Sequence, residues 1–232
     1  MNTPPTPLAE LDGGPHDVEF FFDPGCPFAW QTSRWIRRVV ELEGISVGWR
    51  LISLQHINHG RDQTSARAAS HRRTHRILRV AAAVRQRAGN EAVGAFYRAW
   101  GDRLWTQRID VVDFGERMAT AFAHVDLGEV LGAADVGGEL AAAVDDPAFD
   151  VLIATESDEA LRRTGPEVGT PIITYDPPYG SSMFGPVISA LPDDETSVAF
   201  YRALRTMVDF DGFSELKRTN RPDLDLPLLQ DA

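Results

Sequence analysis

An apolar, β-prone run from Val18 to Phe22, broken only by Glu19, ends at the turn-forming triplet Asp23-Pro24-Gly25. A buried strand that leaves by a tight turn is expected there. Pro27 suits the first turn of a helix, where its missing N–H is not needed. Trp35, Ile36, Val39, Val40 and Leu42 then recur at helical spacing until Gly44 stops the pattern. Residues 45–51 alternate with period two and predict a second strand. From 61 to about 163 the chain reads as almost wholly helical: a basic helix around 64–88, an aromatic one around 91–105, weaker ones at 110–123, 126–132 and 137–143, and a longer one near 147–163. Thr164-Gly165-Pro166 breaks that pattern. Two strand-like runs, 168–175 and 182–188, flank the turn Asp176-Pro177-Pro178-Tyr179-Gly180, and 195–210 is an amphipathic helix. Pro171 sits inside the first of these runs, where an edge position or a cis bond must accommodate it.

The order is therefore βαβ, a helical block, then ββα, an α/β fold with a large all-helical insertion. On this reading residues 1–16 form a flexible tail, 17–60 and 164–212 one domain, 61–163 the helical insertion, and 213–232 a C-terminal tail.

Composition narrows the class. Of 232 residues, 43% are hydrophobic and 25% charged, the balance of a globular protein rather than a disordered or disulfide-stapled one. No apolar run reaches the roughly 20 residues of a membrane span, and the first 17 residues have neither the basic end nor the apolar core of a secretory signal. A cytoplasmic location is the expectation. A net charge of −11 argues against nucleic acid and anionic membrane surfaces as partners. The charge is unevenly spread: residues 61–87 hold eight arginines against Asp62, whereas 109–160 hold thirteen acids against Arg117. Either the two segments neutralise each other or the arginines form a docking face for an anionic small molecule.

Cys26 is the only cysteine, so no intramolecular disulfide can form. It falls where a strand delivers the chain to a helix N-terminus, and unpaired amides and the helix dipole favour an anion there. A thiolate so placed has its pKa lowered to about 3.5–7.5, which makes a reactive cysteine the expectation. An inert core cysteine is the alternative.

Phe22-Asp23-Pro24-Gly25-Cys26-Pro27-Phe28, with Gly169-Thr170-Pro171, resembles the thioredoxin superfamily in its DsbA-like branch. Asp23–Pro27, Thr32–Trp35, Gly169–Pro171, Phe184–Val187 and Phe213–Thr219 together resemble the mycothiol-dependent nitroreductase family over most of residues 18–220. The resemblance implies a thioredoxin-like fold with a helical insertion, Cys26 as nucleophile, and a low-molecular-weight thiol, mycothiol or glutathione, as cosubstrate rather than a tightly bound cofactor. It also implies that Thr170 and Pro171 face the cysteine, that Pro27, Phe28 and Trp30 flank it, and that Asn58 lies near the pocket. Trp30 is equally a core candidate. Those enzymes usually carry Cys-Pro-x-Cys, and here the last position is Ala29. A mixed disulfide at Cys26 then needs an external thiol for release. Kappa-class glutathione transferases and 2-hydroxychromene-2-carboxylate isomerases resemble the same plan, which keeps open an isomerase working by thiolate addition and elimination. A non-catalytic binding module is the alternative from another class.

Other candidates are weaker. His56 and His59 can act as acid or base or cap a loop. Arg67, His71, Arg72, His75 and Arg76 can line the anionic side of a pocket. His71 and His75 have metal-ligand spacing, but no carboxylate or cysteine joins them nearby, so no metal is expected. No glycine-rich phosphate loop or serine-hydrolase motif occurs. Aromatic residues of the helical lid, such as Trp100 and Trp105, are expected to pack it on the sheet, and any exposed ones would support a homodimer.

Overall fold

A computed structural model describes residues 8, 10–12, 14–60 and 65–230. The beginning of the predicted N-terminal tail and the first residues of the insertion, 61–64, lie outside these. The elements are β1 (Val18–Phe22), α1 (Pro27–Glu43), β2 (Val47–Leu51), α2 (Leu54–Ile57), α3 (Ala66–Trp105), α4 (Phe114–Ala123), α5 (Leu127–Ala133), α6 (Asp150–Thr164), β3 (Ile172–Tyr175), β4 (Ser182–Phe184) and α7 (Asp194–Val208). Short 3-10 turns occupy Gly138–Asp145, Pro147–Phe149 and Pro227–Leu229.

The four strands form one sheet in the order β2-β1-β3-β4, with β1 parallel to β2 and antiparallel to β3, and β3 antiparallel to β4. β1 is apolar throughout because both its faces are covered. Phe20 and Phe22 enter the main core with Trp30, Trp35, Tyr97 and Trp100, while Phe21 points the other way to Ile52, Ile172 and Ala160 of α6. This central sheet with its βαβ and ββα halves, split by a helical block, is the thioredoxin-like fold with a helical insertion.

The two long insertion helices read from the sequence are one helical run with a break. Gly89 has φ 84° there, a left-handed conformation that only glycine adopts without strain. Asn90, just beyond, works as a surrogate strand on the open edge of β2. Its side-chain oxygen accepts from the Trp49 N–H at 2.9 Å and its amide group donates to the Val47 carbonyl at 3.3 Å. Its own N–H donates to Asp12, and Leu11 is buried, so the described part of the N-terminal segment is anchored to this break.

The basic and acidic segments meet. Arg76 pairs with Asp145, Arg79 with Asp150 at 2.6 Å, and Arg85 with Glu156 at 2.6 Å. Glu156 also reaches Arg50 of β2 at 2.9 Å, and Arg50 reaches Glu19 of β1 at 2.6 Å. Arg163 of α6 closes the chain on Glu19 and Glu159. Part of the local charge excess is thus paired between the two segments.

Several predicted boundaries shift. The run 168–175 is strand only from Ile172, and 182–188 only to Phe184; Thr170-Pro171 and Gly185-Pro186, both cis peptides, lie at the ends of the ladder. Residues 138–145 are 3-10 rather than α-helical, and α4 begins at Phe114 rather than 110, with Asp113 as its N-cap. The C-terminal segment, which has little periodicity, nevertheless buries Leu226 and Leu228.

Candidate active site

β1 hands the chain to α1 through Asp23-Pro24-Gly25, and this turn is clamped from three sides. The Asp23 carboxylate accepts from the Gly25 N–H at 2.9 Å and from the Leu54 N–H at 2.8 Å. Trp100 Nε1 donates to the Pro24 carbonyl at 3.1 Å. A Cβ on Gly25 would lie 2.0 Å from Thr74 Cγ2, so only glycine lets α3 approach this closely. The turn sets Cys26 as the N-cap of α1, with Pro27 in the first helical position.

The Cys26 sulfur accepts from the Ala29 N–H at 3.4 Å and donates its S–H to the Thr170 carbonyl at 3.3 Å. Thr170 is itself held by its hydroxyl on the Phe21 carbonyl at 3.1 Å, and Pro171 follows through a cis bond. Cys26 is only 7% exposed. Burial pushes its thiol up to about 12, and the neighbouring Asp23 carboxylate adds to the rise, against the weaker pull of the Ala29 and Phe28 N–H groups. The expectation of a lowered thiol pKa is therefore corrected. The helix N-terminus is present as predicted, but removal from water outweighs it in this conformation. Asp23 is also buried, and burial raises its carboxyl to about 6 despite the two backbone donors.

The sequence profile of the Rv2466c-like family, described as mycothiol-dependent nitroreductase Rv2466c, matches residues 25–218. The chain belongs to this family. It is also 31% identical over 210 residues to the uncharacterized protein Rv2286c of Mycobacterium tuberculosis, covering 88% of this chain and 83% of that one. A solved structure from Pseudomonas syringae, provisionally assigned as a protein-disulfide isomerase, is 17% identical and superposes with a TM-score of 0.47 over 81% of this chain and 93% of its own. Membership of the Rv2466c-like family makes the chain a thiol-dependent oxidoreductase in broad class.

The structure distributes the other candidates unevenly around this cysteine. Pro27 and Phe28 are half-buried on the first turn of α1, and the Phe28 ring lies 5.4 Å from the Arg221 guanidinium. Trp30 is a core residue, 2% exposed, edge-on to Tyr97 and covering Gly101, where any Cβ would fall 2.2 Å from the indole. Its packing leaves no room for a substrate-facing role in this conformation. Asn58 caps α2 and donates to the Leu54 carbonyl at 2.8 Å, while His56 contacts Asp158 at 2.7 Å. Both therefore sit on the element whose Leu54 N–H holds Asp23. Arg72 is exposed on α3. His75 bridges Ser53 at 2.8 Å and Asp150 at 3.0 Å, tying α2 to the helical insertion. Ser53 is fully buried and caps α2, so this Ser-His-Asp chain is a structural clasp. Among the described residues no group of three His, Cys, Asp or Glu side chains could hold a metal.

Three further residues belong to the surroundings of the site. Asp23 was visible only as turn chemistry, and its burial beside Cys26 has no sequence signal. Tyr97 was legible as part of an aromatic helix; burial first, and then a charge on Cys26, opposes ionisation of its hydroxyl, which makes no well-formed hydrogen bond, the Ser33 side chain being its polar neighbour. Arg221 lies in a stretch without pattern.

Proposed function

We propose that this protein is a monothiol oxidoreductase or thiol transferase in which Cys26 is the nucleophile and a low-molecular-weight thiol, mycothiol by family, is the cosubstrate. The observation that carries this reading is the Cys26 sulfur at the N-cap of α1, facing the Thr170 carbonyl just before Pro171. A bound thiol would replace the Cys26 S–H as the donor to that carbonyl, and the released sulfur would keep the Ala29 and Phe28 N–H groups.

The exchange balances without a second protein cysteine. The Cys26 thiolate attacks a mixed disulfide R–S–S–R′, forms Cys26–S–S–R and expels R′–S⁻. A second thiol R–SH then attacks, giving R–S–S–R and regenerating Cys26. Ala29, fully buried where many relatives are expected to hold the resolving cysteine, leaves that last step to the external thiol. Because the resting thiol is protonated, opening of the site to water or substrate must precede attack.

Ala29 also favours a second reading, an isomerase in which the thiolate adds to a conjugated double bond and is later eliminated. Incubation with a small mixed disulfide, followed by intact mass and turnover with and without added thiol, tests both. A Cys26 adduct discharged only by thiol supports the transferase. Turnover of a conjugated substrate without thiol supports the isomerase, and failure of Cys26→Ser to change either activity removes both.

A further inference from the structure

The segment after α7 returns across the first turn of α1. Ser189 is its fastening point. Its carbonyl accepts from Gln31 Nε2 of α1 at 3.4 Å and from the Asp225 N–H at 2.9 Å, and its hydroxyl donates to the Pro222 carbonyl at 3.0 Å. Further on, Leu226 and Leu228 are buried, and Arg117 donates to the Gln230 carbonyl at 3.5 Å. Arg221, immediately before Pro222, is thereby held with its guanidinium 5.4 Å from the centre of the Phe28 ring.

Two features bear on Arg221. Some exposed arginines are matched to acids, as Arg38 is to Asp194 and Arg202 to Glu43. Arg221 makes no ion pair among the described residues, although Asp223 and Asp225 follow it closely in the chain. Phe28, moreover, is the residue whose backbone N–H faces the Cys26 sulfur. One residue thus carries the sulfur on its amide side and the guanidinium on its ring side. A guanidinium resting on an aromatic face keeps its outer face and its N–H fork available, a geometry that fits a planar carboxylate-bearing ring.

We infer that Arg221 is a specificity-determining residue, which seats an anionic aromatic substrate at the rim of the Cys26 site with Phe28 as its platform. The inference rests on the thiol reading above and adds the charge and shape of the substrate. A neutral aliphatic substrate would gain nothing from this pair.

Three probes of Cys26 test it: dithiobis(nitrobenzoate), an aromatic dianion; dithiodipyridine, a neutral aromatic disulfide; and iodoacetamide, a small neutral alkylator. With each disulfide the Cys26 thiolate forms a mixed disulfide and expels the other half as a coloured thiolate or thione. Arg221→Ala and Arg221→Gln are expected to slow the dianion about fivefold, the scale of one exposed charge contact, while both neutral probes change less than about twofold. Added salt should erase the difference. An equal change for all probes, or none for the dianion, overturns the role of Arg221 and leaves the thiol chemistry standing. No modification of Cys26 by any probe at any pH up to 10 overturns the thiol reading and this inference with it.

Discussion

The Cys26 thiol donates to the Thr170 carbonyl across 3.3 Å, although 144 positions of chain separate the two residues. That hydrogen bond joins the βαβ half to the ββα half at the site itself. It also means that the resting sulfur is a donor, a neutral thiol, and that chemistry at Cys26 begins with its loss.

The first prediction concerns ionisation. With burial holding the thiol up to about 12, alkylation of Cys26 by iodoacetamide should be slow at pH 7 and rise about tenfold per pH unit through pH 10. Intact mass gives an unambiguous readout because Cys26 is the only cysteine. A plateau reached near pH 7 would show that the buried conformation is not the reacting one.

Asp23→Asn should move that profile to lower pH, because the Asp23 carboxylate disfavours a thiolate beside it. It should also cost about 1–3 kcal/mol, since an amide offers a donor to one of two backbone donors, those of Gly25 and Leu54. The raised Asp23 carboxyl gives the sign of its pH dependence. Its stabilising contribution is full below the ordinary carboxyl value and is lost as pH rises through about 6. Thermal melts of the variant should therefore lack a fall between about pH 4 and 6 that the parent shows.

Gly25→Ala should destabilise by about 1–3 kcal/mol through the contact of its new Cβ with Thr74 Cγ2. Thr74→Ser removes that methyl and keeps the hydroxyl. The double variant should recover at least half of the loss, a non-additivity read by denaturant titration. Additive losses would place the strain elsewhere in the turn.

Glu156→Gln should cost about 3–5 kcal/mol, because it leaves the buried Arg50 and Arg85 guanidinium groups short of charge. Burial alone would raise the Glu156 carboxyl, but Arg85 and Arg50 outweigh it and hold it below the ordinary value. Stability from this group is present above about pH 4.5 and declines as pH falls below it. The parent should lose stability on acidification more steeply than the variant, and parallel curves would refute the assignment.

The helix boundary between 88 and 91, the place of Cys26 at a helix N-terminus and the burial of β1 were legible because each depends on a few neighbouring residues. A glycine interrupts a helical period, a turn precedes a proline, and an unbroken apolar run requires cover on both sides. Strand ends near Pro171 and Pro186 were overextended because apolar periodicity continues past Ile172 and Phe184, where the paired register stops. The reading of Cys26 as a low-pKa thiol erred for a different reason. A helix N-terminus is a local property, but desolvation depends on what α3 and the Thr170 loop place over the sulfur.

Local chemistry along the sequence thus determined the strand-turn-helix that presents Cys26, the βαβ and ββα order, and the single-thiol limit set by Ala29. Only the tertiary structure decided that Thr170 meets that thiol, that Arg76, Arg79 and Arg85 of α3 are matched by Asp145, Asp150 and Glu156, and that Arg221 stands unpaired on Phe28. Those facts depend on distances between residues far apart in the chain, and both burial and Coulomb energy are functions of distance in space.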